Sequence, residues 1–560
     1  MHRKGSKPFF NEVFMKKNDR VIGVCSGYTH DGHGVVKIDG FPLFVKGMCE
    51  HEEGEIIVTQ IRKGFGFGKL WRLMKKSEAR VEPFCPVAKQ CGGCQLQHVS
   101  YAEQLRFKKQ KVIDVMKRIA QIDVEVLDVI GMENPTFYRN KGQIPVGITN
   151  KQVVTGFYRI NSNTIIDMNS CMIQSKRINE VLVCMKKLLN KYQNADLFRH
   201  LLIKDAFASG EVMVVWIVRS SKLSHKEEMC KELVENLPYI KSVIINVNTR
   251  EDNVILGKEE HVLYGNSYIT DAIHDLNFHI SSRSFYQVNP VQTERLYGKA
   301  LEFAQLSGKE EVIDLYCGVG TISMFLAQKA KHVIGVEIVD AAIRDAKINA
   351  KLNQIDNIDF VCSDAANYAK KLEKQGKKPD VVVVDPPRKG CDDLTLDSIV
   401  KMQPKRIVYV SCDPATLARD IKKLDEKGYA AQVVQPVDMF PFSFHVESIV
   451  LLSHKSPDSH IDVKVEFGEG EEKVPLDKIA ERAKQYQPAP RVTYKMIQEY
   501  IEEKYGFKVH TAYIAEVKRN LGLPMYDAPN MVEELKKPRR HPTAEKVEAI
   551  KGALKHFGVI

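Results

Sequence analysis

Short runs in which every second residue is hydrophobic fill residues 19–72, and glycines and acidic turns separate them. The runs are VIGVCSGYT, GHGVVKIDGFPLFVKG and EGEIIVTQIRKGFGFGKLWRL. Alternation at period two is typical of strands with one buried face, and short strands in close succession favour a closed barrel. The pattern therefore predicts a small OB-like β-barrel over residues 15–75.

The last of these runs carries aromatic side chains between cationic ones. Phe65, Phe67 and Trp71 alternate with arginine and lysine within residues 62–71. Such a surface can stack on bases and neutralise phosphates. The same aromatic side chains can instead fill the core of the barrel. The sequence leaves both alternatives open.

A helical period replaces the alternation in residues 101–120. The apolar positions 105, 112, 113, 116 and 119 share one face, and lysines occupy the opposite one. We expect an amphipathic helix that packs on the C-terminal α/β domain or turns its lysines toward RNA. The β-type runs QVVTGFYR, EVMVVWIVR and SVIINVNT follow, so residues 76–280 are predicted to form a central domain of mixed α/β character.

Four apolar strands in residues 281–455 each end in a polar residue. The first, EVIDL, precedes Gly318, Gly320 and an apolar helix, so that the backbone can approach a ligand and the helix presents free N–H groups. The next three strands end near Glu337, Asp364 and Asp385. Carboxyl ends of parallel strands form the ligand-binding edge of a doubly wound sheet. This segment is therefore predicted to be a Rossmann-like domain.

The last hundred residues, 456–560, have a different pattern. A linker-like segment ending in acidic residues is followed by two helix-like segments within RVTYKMIQEYIEEKYGFKVHTAYIAEVKRNLGLP. We expect a helical appendage, either a helix-turn-helix or a solvated bundle, without a catalytic role. A basic patch in it can bind phosphate; its members are Lys536, Lys537, Arg539 and Arg540.

Length and charge narrow the class of protein. A chain of 560 residues is too long for one hydrophobic core. The net charge of +11 favours a polyanionic partner, although solubility alone also accounts for it. The first residues lack the apolar core of a secretory signal, and no apolar run approaches the roughly 20 residues that span a bilayer. We expect a monomeric cytoplasmic protein that has no membrane segment and no obligate protein partner.

Three of the 12 cysteines are closely spaced in FCPVAKQCGGCQLQH. Cys85, Cys91 and Cys94 form a C-x₅-C-G-G-C run, and the two glycines let the backbone fold around an inorganic core. A fourth ligand is needed. Cys171 is the favoured candidate, because Cys184 and Cys230 lie in helix-like or charged surroundings. The spacing predicts an iron–sulfur site, with zinc as the alternative.

This run, with the QLQH that follows it, resembles the iron–sulfur motif of bacterial 23S rRNA uracil-5-methyltransferases. The resemblance implies that Cys85, Cys91, Cys94 and Cys171 hold a [4Fe-4S] cluster. It also implies that the N-terminal barrel is a TRAM domain, an RNA-binding barrel found in several RNA-modifying enzymes.

The C-terminal α/β segment extends the resemblance. An acidic residue after the second strand suits NAD as well as S-adenosylmethionine, but DLYCGVG is not GxGxxG. The order DLYCGVGT, GVE, SDA and DPPR resembles class I methyltransferases. By that resemblance the residues that bind S-adenosylmethionine are Gln287, Tyr316, Gly318, Gly320, Glu337, Asp364 and Asp385.

Two further residues fit the chemistry that this family performs. C5 of uracil is a poor nucleophile until a group adds at C6, which a cysteine thiolate can do. Cys412 follows the strand RIVYVS and precedes Asp413 and Pro414, so we predict an exposed nucleophile. Glu447, at the start of the last apolar strand, is the predicted base. Cys391 is a rival nucleophile, but it lacks the proline-cysteine pair of cytosine-5 enzymes.

The resulting hypothesis is a 23S rRNA uracil-C5 methyltransferase that acts through a covalent cysteine adduct, at one or both of the uridines that the family modifies. A tRNA uracil-C5 methyltransferase shares the catalytic domain and is the first alternative. A noncatalytic RNA-binding or assembly factor that keeps the barrel and the cluster is the second.

Overall fold

The computed structural model describes residues 15–455, 494–521 and 541–557. The chain divides into two compact units, Met1–Ser459 and His460–Ile560. This division lies close to the predicted boundary at residue 456. The three segments predicted before that boundary therefore belong to one unit.

Five strands at the N-terminus close into a barrel, as the alternating pattern predicts. The strands follow the order β1-β2-β3-β5-β4 around the barrel. Their bounds are β1 (Arg20–Tyr28), β2 (Gly34–Ile38), β3 (Phe41–Lys46), β4 (Glu53–Arg62) and β5 (Phe65–Lys75). The core holds small and branched side chains, among them Cys25, Val36, Leu43 and Ile56.

The aromatic residues of β5 do not fill this core. Phe65 and Phe67 are half-buried, and Trp71 is 55% exposed. The Arg62 guanidinium lies 5.9 Å from the Phe65 ring centroid and 5.5 Å from that of Phe67. Of the two alternatives left by the sequence, the core interpretation is wrong for these side chains.

The amphipathic helix is present as α1 (Tyr101–Val115), and one π-helical turn, Met116–Ala120, extends it. Its lysines do not all face outward. Lys108 is fully buried and forms an ion pair with the fully buried Asp438, at 2.5 Å between Nζ and Oδ1. The expectation that the lysine face turns to RNA is therefore wrong for Lys108, which packs α1 against the C-terminal part of the unit.

A seven-stranded sheet forms the central region, with the strand order β13-β12-β11-β10-β7-β8-β9. Two helices accompany it, α2 (Lys176–Tyr192) and α3 (Lys226–Asn236). The strands are β7 (Lys141–Thr149), β8 (Gln152–Tyr158), β9 (Ile165–Asp167), β10 (Phe198–Asp205), β11 (Val212–Val218), β12 (Ile240–Val247) and β13 (Glu259–Gly265). The hairpin of β14 (Tyr268–Ile273) and β15 (Leu276–Ser281) follows. The mixed α/β character predicted for this region is present.

An eight-stranded sheet carries the C-terminal part of the unit, in the order β18-β17-β16-β19-β20-β22-β21-β6. The strands β16 to β20 pair in parallel, and β22 runs antiparallel between β20 and β21. They are β6 (Glu125–Val126), β16 (Glu311–Leu315), β17 (His332–Glu337), β18 (Ile358–Cys362), β19 (Val381–Val384), β20 (Arg406–Ser411), β21 (Tyr429–Val437) and β22 (Glu447–His454). This doubly wound sheet is the predicted Rossmann-like arrangement.

Six helices connect these strands. They are α4 (Pro290–Ala304), α5 (Thr321–Ala327), α6 (Asp340–Leu352), α7 (Ala365–Lys374), α8 (Asp393–Met402) and α9 (Pro414–Glu426). Continuous apolar strands such as β19, VVVV, are fully buried because helices cover both faces of the sheet.

The second unit contains three described helices, Tyr494–Tyr505, Thr511–Asn520 and Ala544–His556. They share a small core that includes Ile497, Ile514 and Ile550. The basic patch Lys536, Lys537, Arg539 and Arg540 lies outside the described residues, as does the linker-like segment. Across the ranges that the structure describes, no helix is long and apolar enough to cross a membrane.

Candidate active site

The glycine-rich turn after β16 is shaped by two positive φ angles that glycine adopts without strain. Gly318 has φ 56° and Gly320 has φ 80°. A Cβ at Gly320 would lie 2.6 Å from the Phe360 ring, so no larger residue fits there. Gly320 also directly precedes α5, whose first N–H groups face the C-terminal edge of the sheet.

Glu337 holds this turn from the end of β17. Its Oε2 accepts the N–H of Gly318 at 3.2 Å, and its Oε1 accepts the N–H of Val339 at 2.9 Å. Asp364 lies two residues beyond β18 and caps α7, accepting the N–H of Asn367 at 3.1 Å. Both carboxylates thus have structural hydrogen bonds and also lie at the predicted ligand-binding edge.

Asp385 follows β19 at the centre of that edge. Burial raises the pKa of its carboxyl group to about 6. Asp314, inside β16, is fully buried and was not singled out from the sequence. Its pKa is raised to about 7, first by burial and further by the charge of Asp385, and its Oδ1 has no hydrogen-bond partner among the described residues. Two buried carboxyl groups with raised pKa values thus lie in the middle of the sheet, Asp314 within β16 and Asp385 directly after β19.

Tyr316 directly follows β16 and begins the turn, whereas Gln287 lies three residues before α4. Gln287 is half-buried, and its main-chain oxygen accepts a hydrogen bond from Asn140 Nδ2 at 3.0 Å. Tyr316 has φ 69°, a strained value for a non-glycine residue. The Tyr316 hydroxyl lies near Thr395 and Cys391, and burial raises its pKa.

Cys412 immediately follows β20, as predicted, and is half-buried. Asp413 caps α9 by accepting the N–H groups of Ala415 and Thr416, so the strand-to-helix turn that carries the thiol is fixed. The pKa of the Cys412 thiol is raised to about 11, mainly by burial and then by the charges of Glu447 and Asp385. The nearby Arg388 guanidinium acts in the opposite direction.

Glu447 is the first residue of β22, and only 4% of it is exposed. Burial and then the charge of Asp385 raise the pKa of its carboxyl group to about 8, while Arg388 lowers it. The charges of Glu447, Asp385 and Arg388 thus act on Cys412, and those of Asp385 and Arg388 act on Glu447. Cys412 and Glu447 lie side by side, because Ser411 at the end of β20 pairs with Ser448 of β22. A thiol beside a buried carboxyl group of this kind can add to an electrophilic carbon while the carboxylate accepts a proton.

Arg388 ends the motif DPPR, to which the sequence alone gave no catalytic role. Its position four residues after the end of β19 is the only sequence signal for its place in the site. The rival thiol, Cys391, is 3% exposed, and its N–H donates to Asp420 at 2.9 Å. Burial raises the pKa of the Cys391 thiol to about 12. Cys412 is consequently the more accessible of the two thiols.

A second site lies near the end of the barrel. Cys85, Cys91, Cys94 and Cys171 all line one cavity of about 220 Å³, which we call the cysteine cavity. Gly93 N–H donates to Cys91 Sγ at 3.4 Å, and Asn179, in the first turn of α2, holds the main chain of Cys171. The prediction that Cys171, and not Cys184 or Cys230, joins the other three is consistent with this placement.

The cavity is lined by four thiols and by the side-chain amides of Gln97, Gln143 and Gln174. No Asp or Glu lines it, whereas Arg139 and Lys141 do. Burial raises the pKa of Cys91, of Cys171 and of Cys94, the last to about 12. Throughout the described ranges, however, no three His, Cys, Asp or Glu side chains are close enough together to hold a metal ion as they stand. The thiols share one cavity but do not form a closed ligand shell.

Comparison with known proteins gives three findings. A family model described as tRNA (Uracil-5-)-methyltransferase matches residues 100–455. An uncharacterized RNA methyltransferase of Clostridium tetani is 47% identical over 452 residues, which is 79% of this chain and 98% of the relative. One of Bacillus cereus is 48% identical over 448 residues, which is 78% of this chain and 97% of the relative.

Among solved structures, the chain is similar to the Pyrococcus abyssi tRNA (uracil-54, C5)-methyltransferase in complex with S-adenosyl-L-homocysteine. The TM-score is 0.62 at 27% identity, and the match covers 77% of this chain and 100% of the other. The curated relatives and this structure leave about a fifth of the present chain unmatched.

Proposed function

Because the chain belongs to the tRNA (uracil-5-)-methyltransferase family, we propose that it methylates C5 of a uridine in 23S rRNA through a covalent cysteine adduct. S-adenosylmethionine is the methyl donor of this family of enzymes. The observation that carries the mechanism is the strand pairing: Ser411 pairs with Ser448, so Cys412 at the end of β20 lies beside Glu447 at the start of β22. The charge of Glu447 also raises the pKa of Cys412, which agrees with this placement. Family membership, with a thiol and a base retained, favours an enzyme over the noncatalytic alternative.

Cys412 supplies the nucleophile in this mechanism. Its thiolate adds to C6 of the uracil, and the electron pair displaced from the C5–C6 double bond makes C5 nucleophilic. After C5 is methylated, the Glu447 carboxylate accepts the C5 proton, the double bond re-forms and Cys412 leaves as the thiolate. Arg388 lowers the pKa of Cys412 and so favours the thiolate that starts the cycle.

The burial of Glu447 suits a base that acts late in the reaction. With a pKa of about 8, its carboxyl group is mostly protonated at neutral pH before substrates bind. A neutral Glu447 does not oppose formation of the Cys412 thiolate. The carboxylate form is needed only when the C5 proton has to be removed.

The residues of the sheet edge fit a bound nucleoside. The Gly318–Gly320 turn lets the main chain approach a ligand, α5 presents N–H groups, and the unpartnered Oδ1 of Asp314 can accept a hydrogen bond from a cationic donor. We assign methyl-donor binding to Gln287, Tyr316, Gly318, Gly320, Glu337, Asp364 and Asp385. The bound donor supplies the activated methyl group.

The cysteine cavity fits a sulfur-ligated cofactor. Its four thiols, the N–H of Gly93 aimed at Cys91 and the two cationic residues Arg139 and Lys141 suit a negatively charged thiolate cluster. We assign Cys85, Cys91, Cys94 and Cys171 to a [4Fe-4S] cluster, with zinc as the alternative. A bound cluster would tie the loop that follows the barrel to the central region.

Ribosomal RNA is the proposed substrate because the barrel and the cysteine cavity accompany the catalytic domain. Half-buried Phe65 and Phe67 under Arg62 suit single-stranded RNA, which supports assigning the barrel as a TRAM domain. A tRNA substrate is the second candidate, favoured by the similarity to the Pyrococcus abyssi tRNA enzyme over 77% of this chain. A monomer in the cytoplasm without an obligate protein partner remains the expectation.

The deciding experiment measures methyl transfer from labelled S-adenosylmethionine to unmodified 23S rRNA and to unmodified tRNA, with mass mapping of the product. 5-Methyluridine in rRNA alone supports the proposal, and 5-methyluridine in tRNA alone replaces it with the second candidate. No transfer to either RNA contradicts both.

The covalent step has its own test in the Glu447→Gln variant. Without its base the enzyme should stop after methylation, so a denaturation-resistant complex with RNA should accumulate. The double variant Cys412→Ala/Glu447→Gln should form none. Equal amounts of the complex with both variants would rule out Cys412 as the attacking atom.

A further inference from the structure

The segment immediately before Glu447, residues 438–446, is a loop held by partners from distant parts of the chain. Asn289 Nδ2 donates to the Met439 oxygen at 3.0 Å, and the Tyr138 hydroxyl donates to the Pro441 oxygen at 3.2 Å. From α1, Lys108 donates to the Phe440 oxygen at 3.1 Å and Lys111 to the Phe444 oxygen at 2.9 Å. Because so many of its carbonyl groups are hydrogen-bonded, this loop is rigid. A displacement at one of its residues should therefore also displace the neighbouring residues.

Phe442 lies at the middle of this loop with φ 67°. A positive φ is strained for a residue with a Cβ and persists only where surrounding contacts impose it. Here the Phe442 oxygen accepts two N–H groups, from Gln95 at 3.0 Å and Leu96 at 2.9 Å. The Phe442 N–H donates to Gln104 Oε1 at 2.9 Å. The strained backbone is therefore fixed on both sides.

Gln95 and Leu96 directly follow Cys94, so these two hydrogen bonds join the loop of the cysteine cavity to the loop of the proposed base. The Phe442 side chain makes the same connection. It is 7% exposed and packs in a cluster with Met132, Tyr138 and Ile173, against which Cys94 and Cys171 also lie. Its ring contacts that of Phe84, with centroids 4.9 Å apart and planes at 75°.

Phe442 thus contacts the surroundings of the cysteine cavity and lies in the loop that leads to Glu447. Its main chain and its ring contact residues adjacent to, or members of, the cysteine cavity, and five positions later the chain reaches Glu447. Building on the proposed function, we propose that Phe442 is a positioning residue that couples the state of the cysteine cavity to the placement of the Glu447 carboxylate. A change at the four thiols would then reach the proton-transfer step without any contact between the cavity and the RNA base.

Coupling between two sites is reciprocal. If the state of the cysteine cavity changes the placement of the Glu447 loop, fixing that loop changes the stability of the cavity by the same free energy. Fixing the loop by trapping RNA on Cys412 should therefore stabilise the cysteine cavity. A cavity held closed exposes its thiols less often to an alkylating reagent. A thiol that is bound to iron must also be released before it reacts, so alkylation reports cavity opening in either state.

The catalytic arm of the test compares three variants of the full-length protein as purified. Phe442→Leu removes the ring contacts, Phe442→Tyr keeps them, and Phe198→Leu makes the same change at a residue of the seven-stranded sheet that is 2% exposed. Each is assayed for methyl transfer with kcat and KM for RNA separated, and for the pH dependence of kcat.

For Phe442→Leu we expect kcat to fall by about 10- to 100-fold, as for a displaced catalytic group, while KM for RNA stays within about twofold. The rise of kcat with pH that Glu447 produces when proton removal limits turnover should shift. Phe442→Tyr should restore most of the rate, and Phe198→Leu should keep the wild-type pH profile even if it lowers the melting temperature. A Phe442→Leu variant indistinguishable from Phe198→Leu would overturn the positioning role.

The coupling arm measures alkylation of Cys94 and Cys171 by N-ethylmaleimide, with and without trapped RNA, in Glu447→Gln and in Phe442→Leu/Glu447→Gln. Trapped RNA should slow alkylation in the first protein and have little effect in the second. If trapped RNA slowed alkylation equally in both proteins, the proposed coupling would be wrong. A wild-type protein that transfers no methyl group contradicts the proposed function itself, which separates that failure from failure of the coupling.

Discussion

The two thiol sites of this protein use the same side chain in opposite surroundings. Cys412 faces two carboxyl groups, Glu447 and Asp385, and one arginine, Arg388. The cysteine cavity brings four thiols together with Arg139 and Lys141 and without any carboxyl group. A thiol that must attack and later leave needs a base beside it, whereas thiols that bind a cluster need positive charge and exclusion of water.

The comparison shows that burial alone does not define the role of a cysteine. Burial raises the pKa of Cys412 and of Cys94 alike, to about 11 and about 12. The difference lies in the neighbours. Carboxyl groups beside one thiol indicate proton transfer, and further thiols beside the other indicate ligation.

The largest effect is expected at the single thiol. Cys412→Ala should lower methyl transfer by more than about 10⁴-fold, because the variant lacks the thiol that adds to C6 in the proposed mechanism. The matched control is Cys391→Ala, which removes a thiol that is 3% exposed and hydrogen-bonded into the fold. That variant should lose about 1 kcal/mol of stability and keep nearly the wild-type rate. The reverse pattern would make Cys391 the nucleophile.

An intermediate effect is expected at the thiol cavity. Cys94→Ser should weaken metal binding by at least about 10- to 100-fold, the range found for changes just outside a ligand shell. Cys184→Ser, in α2 and outside the cavity, is the control. Metal content per chain and visible absorbance measure the outcome. Equal metal content in both variants would remove the assignment of Cys94 as a ligand.

The smallest effect concerns pH. Because burial raises the pKa of Glu447 to about 8 and its carboxylate acts after methyl transfer, a kcat limited by removal of the C5 proton should increase with pH up to about that value and flatten above it. The free energy of unfolding should change in the opposite direction, so that it decreases as the pH rises. The folded state retains the Glu447 proton that the unfolded chain loses near its ordinary pKa, so stability falls as pH rises toward 8.

Glu447→Gln separates these two consequences. Glutamine carries no charge at any pH, so the variant should gain stability relative to wild type as pH rises from 5 to 9. Denaturant unfolding at several pH values gives the comparison. A constant difference in unfolding free energy across that range would mean that Glu447 does not have a raised pKa.

Much of the architecture could be predicted from local patterns. Period-two alternation predicts the barrel, and strands that end in Glu337, Asp385 and Cys412 predict the edge of the parallel sheet. The position of each of these residues follows from its own strand. The C-x₅-C-G-G-C run likewise predicts its own clustering, because the three cysteines are close in sequence.

The remaining features depend on partners far away in the chain. Lys108 looks like an exposed helix residue until it is paired with Asp438, 330 positions later. Arg388 lies in a loop without a recognisable role in the sequence. Its role depends on β20 and β22, which bring Cys412 and Glu447 near it. In the sequence Phe442 does not differ from other aromatic residues, because its contacts are with Gln95 and Leu96, which are far away along the chain. No periodicity within a window of the sequence contains this information.

The short strand β6 has a consequence for the order in which the protein is made. Glu125 and Val126 pair in parallel with Val433 and Val434 and thereby cover the outer edge of the eight-stranded sheet. The ribosome synthesises β6 long before β21. The segment that forms β6 can therefore pair only after more than half of the chain has been added. Until then Lys108 also lacks its carboxylate partner. The eight-stranded sheet is therefore completed late in synthesis, by pairing with a strand that was made early. A chain released before residue 433 lacks most of β21 and all of β22, which leaves β6 and the edge of β20 unpaired and open to other strands.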